Sequence, residues 1–384
     1  MTATSRLIMV AIGGLMSLVV AMGIGRFVYT PILPLMVEAL GITEGQAGLI
    51  ASSNYAGYLV GALLAATPLV GGSRRLWLLG SLALSALTTA AMAFFSDFSM
   101  FMLLRFVGGL ASALALVFAS ALVLERVILA GRAQLSAVHF AGVGTGIVIS
   151  AVLVSVMVAL GYDWRALWIA SGSVSLLFLG AVSILVPDRP EVPVRDQPSA
   201  KRSGRAFKAL AIGYGLFGFG YVITATFLVA IVRASSEVQA LEPVIWLVVG
   251  LAAMPSIVLW TKVSAKTGIA QAFAIACVCE AIGVAASVLW VSPAGVILAA
   301  ILLGGTFVGI SALGLIGARS LSANNSRRAL AMMTAAFSAG QIIGPGFAGI
   351  VYDATQSFLM PSLSAVSALL SAAFIVYVVR ADFS

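Results

Sequence analysis

Arg26, Arg105 and Glu280 stand inside long apolar stretches of the chain. A charged side chain at bilayer depth costs several kcal/mol, on the order of 3 by insertion scales. Arg26 cannot shed its charge. It needs a water-filled cavity or a partner, and its expected chemistry is to hold an anion. The plain alternative is a structural arginine satisfied by carbonyls and hydroxyls. Arg105 has two open readings, a cavity charge serving substrate or proton coupling, or an arginine that ties helix ends together. Glu280 is the one carboxylate deep within a stretch, and it suits a proton carrier or an acid sealed between packed helices. His139, the single histidine, suits a proton relay or a satisfied polar residue.

Neutral polar groups gather near these charges. Tyr29 and Thr30 share a helical face with Arg26 at i+3 and i+4. Asn54, Tyr55 and Tyr58 form a second cluster, in which Asn54 and Tyr58 share a face. Tyr221 and Thr224 add hydroxyls, and Gln341 sits between Gly340 and Gly344. Polar groups avoid lipid, so each fits either a substrate cavity or an interhelical hydrogen bond. The candidate substrate-binding set is Arg26, Tyr29, Thr30, Asn54, Tyr58, Arg105, Tyr221, Thr224 and Gln341. The candidate proton-coupling set is Glu280, His139 and Arg105. No cluster has metal-ligand spacing, no cofactor motif is present, and no paired carboxylates lie within a stretch. Gly142-Val143-Gly144 lacks the Lys-Ser/Thr of a phosphate loop. An enzyme is therefore not expected.

These residues are positioned by membrane helices. The 384 residues are 61% hydrophobic and 9% charged, against about 25% charged in a soluble domain. Lipid can solvate such a chain, and spans of about 20 apolar residues are required. Twelve stretches qualify, at about residues 7–37, 45–70, 75–96, 98–125, 134–160, 164–186, 207–233, 240–262, 269–291, 294–318, 329–351 and 357–380. The first runs past the length of a signal h-region and reads as a retained helix. Cys277 and Cys279 lie two apart on one span and point to different sides, so they read as small core residues. The net charge of +8 comes from short basic loops, not from a nucleic-acid-binding face.

Residues 187–205 are Pro-rich and charged, and divide the chain into six spans plus six. The boundaries are residues 1–186, the linker, and residues 206–384. Lys and Arg placement sets the orientation. With a cytoplasmic N-terminus, the outer loops hold only Arg165 and Arg233. Both termini and the linker are thus expected in the cytoplasm of a cell (inner) membrane protein. The halves echo each other. Met22-Gly23-Ile24-Gly25-Arg26 matches Phe217-Gly218-Phe219-Gly220-Tyr221, and Ala141-Gly142 through Gly146 matches Ala339-Gly340 through Gly344. Such weak symmetry marks duplicated transporter folds.

Two six-span halves with Leu104-Arg105-Phe106-Val107-Gly108-Gly109, Asp163-Trp164-Arg165 and the Gly-rich run at 142–146 resemble the major facilitator superfamily. Residues 22–34 with Asn54-Tyr55-Ala56-Gly57-Tyr58 look like its YbfB/YjiJ-like branch. The resemblance implies an all-α integral membrane fold of twelve helices in two pseudo-symmetric bundles, with Arg26 and Arg105 on cavity-lining helices. One departure stands out. The loop Gly71-Gly72-Ser73-Arg74-Arg75 keeps the basic end of the superfamily's loop motif and lacks its Asp. A latch built on that Asp is not expected, and the arginines read as orientation signals.

The expected function is a monomeric secondary transporter working by alternating access, proton-coupled, for a small organic anion or carboxylate. Its partners are then that small molecule, protons and the lipid bilayer, with no nucleic acid. The runner-up is a proton-coupled exporter of amphipathic compounds. A transporter-like receptor is the reading from a different class.

Overall fold

The protein is described here by a computed structural model covering residues 3–188, 204–322 and 326–383. Most of the linker expected at 187–205 lies outside the described residues. Among those described there are fourteen α-helices and no strand. They are α1 (Ala3–Leu18), α2 (Tyr29–Leu40), α3 (Glu44–Ala65), α4 (Arg74–Ala91), α5 (Phe98–Leu129), α6 (Ser136–Ala159) and α7 (Trp164–Leu185), then α8 (Gly204–Arg233), α9 (Glu242–Ala253), α10 (Ser256–Thr267), α11 (Ile269–Leu289), α12 (Pro293–Leu321), α13 (Ser326–Thr355) and α14 (Leu359–Val378).

Eleven helical segments are long and apolar enough to cross a membrane, α1 and α2 counting together as one. A twelfth span is the pair α9 and α10, bent by 44° at the Met254–Pro255 break. The eighth stretch of the sequence is thus a broken helix. Pro255 cannot continue a helical ladder, which supplies the cause. Leu177, Ile184 and Phe374 are among many large apolar side chains left exposed, as expected where lipid is the solvent.

The chain forms two compact units. Unit 1 is Met1–Ile42 with Ser53–Pro190, and unit 2 is Thr43–Ser52 with Glu191–Ser384. Glycine sets the closest approach in unit 1. A Cβ on Gly23 would run into the backbone of Gly146, and one on Gly142 would run into the Leu15 carbonyl. The Gly142/Gly146 spacing therefore works as a packing device, letting α6 lie against α1 and its continuation.

Unit 1 is also tied at the ends of α4, α5 and α7. Arg74 Nη1 donates to both oxygens of Glu125 at 3.0 Å. Arg75 donates to the carbonyls of Val186 (2.9 Å) and Ser183 (2.5 Å), and Ser73 Oγ donates to Asp188 (2.6 Å). Arg75 thus satisfies carbonyls at the end of α7, which have no intrahelical donor, while Arg74 pairs with Glu125 on α5. Arg165 similarly donates to the Ala93 carbonyl and to Ser96 Oγ, and its guanidinium covers the Trp164 ring.

In unit 2 the first turns of α3 lie along α13. Asp353 Oδ2 accepts from the Gly45 N–H at 3.0 Å, and Ser52 Oγ accepts from the Gly346 N–H at 3.1 Å. Asp353 thus caps α3 from another helix, placing its carboxylate at the helix's positive end. A Cβ on Gly48 would collide with the Pro345 carbonyl.

Candidate functional site

The site in unit 1 is built on a fault in the first span. The sequence reads as one continuous helix over 7–37, but the ladder changes at Val19. Residues Val19–Ile24 form a π-helix, followed by a turn over 25–28 and then α2. The Gly25 N–H reaches back to the Val20 carbonyl at 2.8 Å, and the Phe27 N–H to Met22 at 3.2 Å. Two causes act together. Gly23 and Gly25 hold helical geometry poorly. Pro31 has no N–H to give, and the Thr30 N–H shortens its reach to Phe27 at 3.3 Å. The carbonyls of Gly25 and Arg26 are thereby released from the ladder.

Arg105 takes both of them. From α5, its Nη1 donates to Gly25 O at 2.9 Å and its Nη2 to Arg26 O at 3.0 Å. Its guanidinium also lies 5.1 Å from the centroid of the Tyr29 ring. Asn54 Nδ2 on α3 donates to the Arg105 carbonyl at 2.8 Å. Arg105 therefore bridges the two carbonyls at the break in the first span. Asn54 in turn ties α3 to α5.

Arg26 points among aromatic rings. Its guanidinium carbon lies 4.3 Å from the Tyr55 centroid, 4.8 Å from Tyr58 and 5.6 Å from Phe27. The residue is 4% exposed. Cation–π contacts of this kind are worth about 2 kcal/mol or more when desolvated. Tyr55 is the closer of the two α3 tyrosines. It falls at i−3 from Tyr58, a spacing that places both on one face. Tyr29 and Thr30 are also buried, and Tyr29 packs on Trp168 at 6.4 Å.

Unit 2 holds the other expected residues. Gln341 Nε2 donates to the Tyr221 hydroxyl. The Tyr221 ring is nearly parallel to Phe307 (5.8 Å, 7°) and to Phe337 (5.7 Å, 2°), and stacks on Phe217 at 5.0 Å. Sequence reasoning did not single out Phe217, Phe307 or Phe337. Nothing separates them from ordinary span phenylalanines until α8, α12 and α13 bring them together. Thr224, Ser338 and Gln341 are fully buried, and Thr224 Oγ1, Ser338 Oγ and Gln341 Oε1 make no hydrogen bond.

The remaining candidates lie elsewhere. His139 is buried where α6 meets Gly14 of α1, with Nε2 3.2 Å from Ser120 Oγ and its ring edge-on to Phe140. Glu280 lies on α11, fully buried. No group of three metal-ligating side chains exists among the described residues.

A family model described as the uncharacterised MFS-type transporter YbfB matches residues 18–377. The chain belongs to this family of major facilitator transporters. Two solved structures share its fold. One is the nucleoside transporter NupG as a D323A mutant, with TM-score 0.71, 15% identity and 98% of each chain covered. The other is a bacterial homologue of the human lysosomal transporter Spinster, inward-facing and unoccupied. It gives TM-score 0.66 and 13% identity, covering 100% of this chain and 97% of that one. No curated protein matches the sequence. The YbfB-family chain is a multi-pass membrane transporter and not an enzyme.

Proposed function

We propose that this YbfB-family transporter is a secondary, proton-coupled carrier that moves a small organic anion, a carboxylate, by alternating access. The observation that carries this reading is the sign of the buried charge. In unit 1 the buried charged side chains among the described residues are Arg26 and Arg105, both cations. Arg105 is engaged with backbone carbonyls, and Arg26, set against the Tyr55 and Tyr58 rings, is the counter-charge in this reading. A low-dielectric site with surplus positive charge attracts anions. Tyr29, Thr30, Asn54 and Tyr58 shape that site within unit 1, and Tyr221, Thr224 and Gln341 are the substrate-binding candidates within unit 2. The protein acts as a monomer in a cell membrane, with both termini cytoplasmic.

A second reading is an exporter of amphipathic cations. The ring array of Tyr214, Phe217, Tyr221, Phe307 and Phe337 favours it, because stacked aromatic faces suit flat apolar cargo.

Thermal stabilisation of the purified protein by a panel of carboxylates and of cationic amphiphiles separates the two. The anion reading expects carboxylates to raise Tm and Arg26→Gln to weaken their binding at least tenfold. Stabilisation by cations alone, or unchanged carboxylate affinity in Arg26→Gln, sinks it.

A further inference from the structure

The Glu280 carboxyl has no role in the anion site, and its surroundings call for an explanation. It is 0% exposed, and neither carboxyl oxygen makes a hydrogen bond. Helix α11 packs against α8, α10, α12, α14 and the C-terminal turn at 380–383. Among the described residues, two polar groups face the carboxyl. They are Cys277, one turn away on α11, and Thr306 on α12. Among the described residues of the other packed elements, no charged group pairs with it. An ion sealed in such a place without a partner costs several kcal/mol. An apolar side chain of similar volume would pack there at lower cost, so the acid earns its place by something other than packing.

The Thr306 hydroxyl defines what the acid can do. Thr306 Oγ1 donates to the Leu302 carbonyl at 2.6 Å, with Leu303 O at 3.3 Å as a second acceptor. With its hydrogen so used, it offers Glu280 only lone pairs. A carboxylic acid can donate to those lone pairs. A carboxylate cannot, and would draw the hydroxyl hydrogen away from Leu302. The two protonation states of Glu280 therefore call for two arrangements of Thr306. The next residue, Phe307, stacks on Tyr221, whose hydroxyl accepts from Gln341.

We infer that Glu280 is the proton-binding site of unit 2, and that Thr306 relays its charge state through α12 to the Tyr221–Gln341 pair. This deepens the proton-coupled reading and rests on it. Once protonated, the acid O–H has the Thr306 lone pairs as an acceptor to turn to. When α11 and α12 separate enough to admit water, the acid gives its proton to water and the carboxylate takes the Thr306 hydrogen. Leu302 O is then released from the side-chain bond. Two structural facts narrow the choice among the expected coupling groups. Arg105 is bound to backbone carbonyls, and His139 is packed against Gly14 and Ser120.

Infrared spectroscopy of the full chain in lipid nanodiscs tests this without a known substrate. A protonated-carboxyl C=O stretch is expected that fades as pH rises and is lost in Glu280→Gln. Thr306→Val removes the acceptor and should move that band to higher frequency. The same variant keeps the test alive if Glu280→Gln does not fold. Dicyclohexylcarbodiimide, which adds to protonated carboxyls in apolar surroundings, should label the peptide carrying Glu280 severalfold less as pH rises. A spectrum in which Glu280→Gln removes no carboxyl band, or in which the band it removes persists unchanged at every pH, overturns the proposal. The outcome is independent of cargo. If the band titrates and carboxylates fail to stabilise the protein, the proton site stands and the anion reading falls.

Discussion

Arg105 and Arg26 carry the same charge, lie in the same unit and do opposite things with it. Arg105 turns both terminal nitrogens to main-chain oxygens, and Arg26 turns its cation to ring faces. Charge-assisted hydrogen bonds of the first kind contribute roughly 1.5–3 kcal/mol each. Arg105→Met should therefore cost about 3 kcal/mol or more of stability, read by denaturation in detergent micelles. Arg105→Lys should recover only part of that loss, because an ammonium lacks the planar fork that reaches two carbonyls at once. Full recovery by Lys would show that only charge matters at this position. The depth of Arg26 is legible in the sequence, since a cation amid apolar residues is visible by counting. The partner of Arg105 is not, because backbone carbonyls are the same under every residue and leave no mark. Tyr55 is legible only through its spacing from Tyr58, and the hydroxyl that faces Glu280 is one of many span threonines.

Two spans of this chain are interrupted, the first at residues 19–28 and the eighth between α9 and α10. Gly23, Gly25, Pro31 and Pro34 foretell trouble in the first span, yet hydropathy alone draws it as one rod, because apolarity is unaffected by a change of ladder. The break between α9 and α10 escapes a hydropathy reading for the same reason. The glycine pairs give better warning. Gly142/Gly146 and Gly340/Gly344 each meet backbone or side-chain atoms of a neighbouring helix. Gly146→Leu should force α6 away from Gly23, and overpacking of this kind costs about 1–3 kcal/mol, occasionally more. A lowered Tm with an intact fold is the expected result, and an unchanged Tm would mean that α6 does not sit on Gly23. The cap on α3 is testable in isolation. Asp353→Asn removes a carboxylate from the positive end of the helix, worth about 1 kcal/mol. Hydrogen exchange at the Gly45 amide should quicken by about fivefold. No local signal links residues 45 and 353, since a cap supplied from 308 residues away has no capping-box spacing.

The architecture was the most legible level of all. Twelve apolar stretches, a six-plus-six division and the superfamily resemblance lead to a transporter of this family. The sidedness proposed from Lys and Arg placement has its own check. Ala130→Cys and Tyr162→Cys, both at exposed positions in successive loops, should react with an impermeant maleimide from opposite faces in whole cells and inverted vesicles. With Cys277 and Cys279 replaced by Ala, Tyr162→Cys is expected to label from outside and Ala130→Cys only from inside. The reverse pattern would invert the topology. The joint at residues 25 and 26 also bears on how such a carrier changes its cargo. Arg105 grips that joint by main-chain atoms alone, so the grip is indifferent to which side chain position 26 bears. A lineage or a designer could install a neutral or acidic group there and retain the same kinked scaffold. If the proposed anion site holds, selectivity and architecture are separately mutable, and a library at position 26 should yield folded carriers with new preferences more often than a library at position 105.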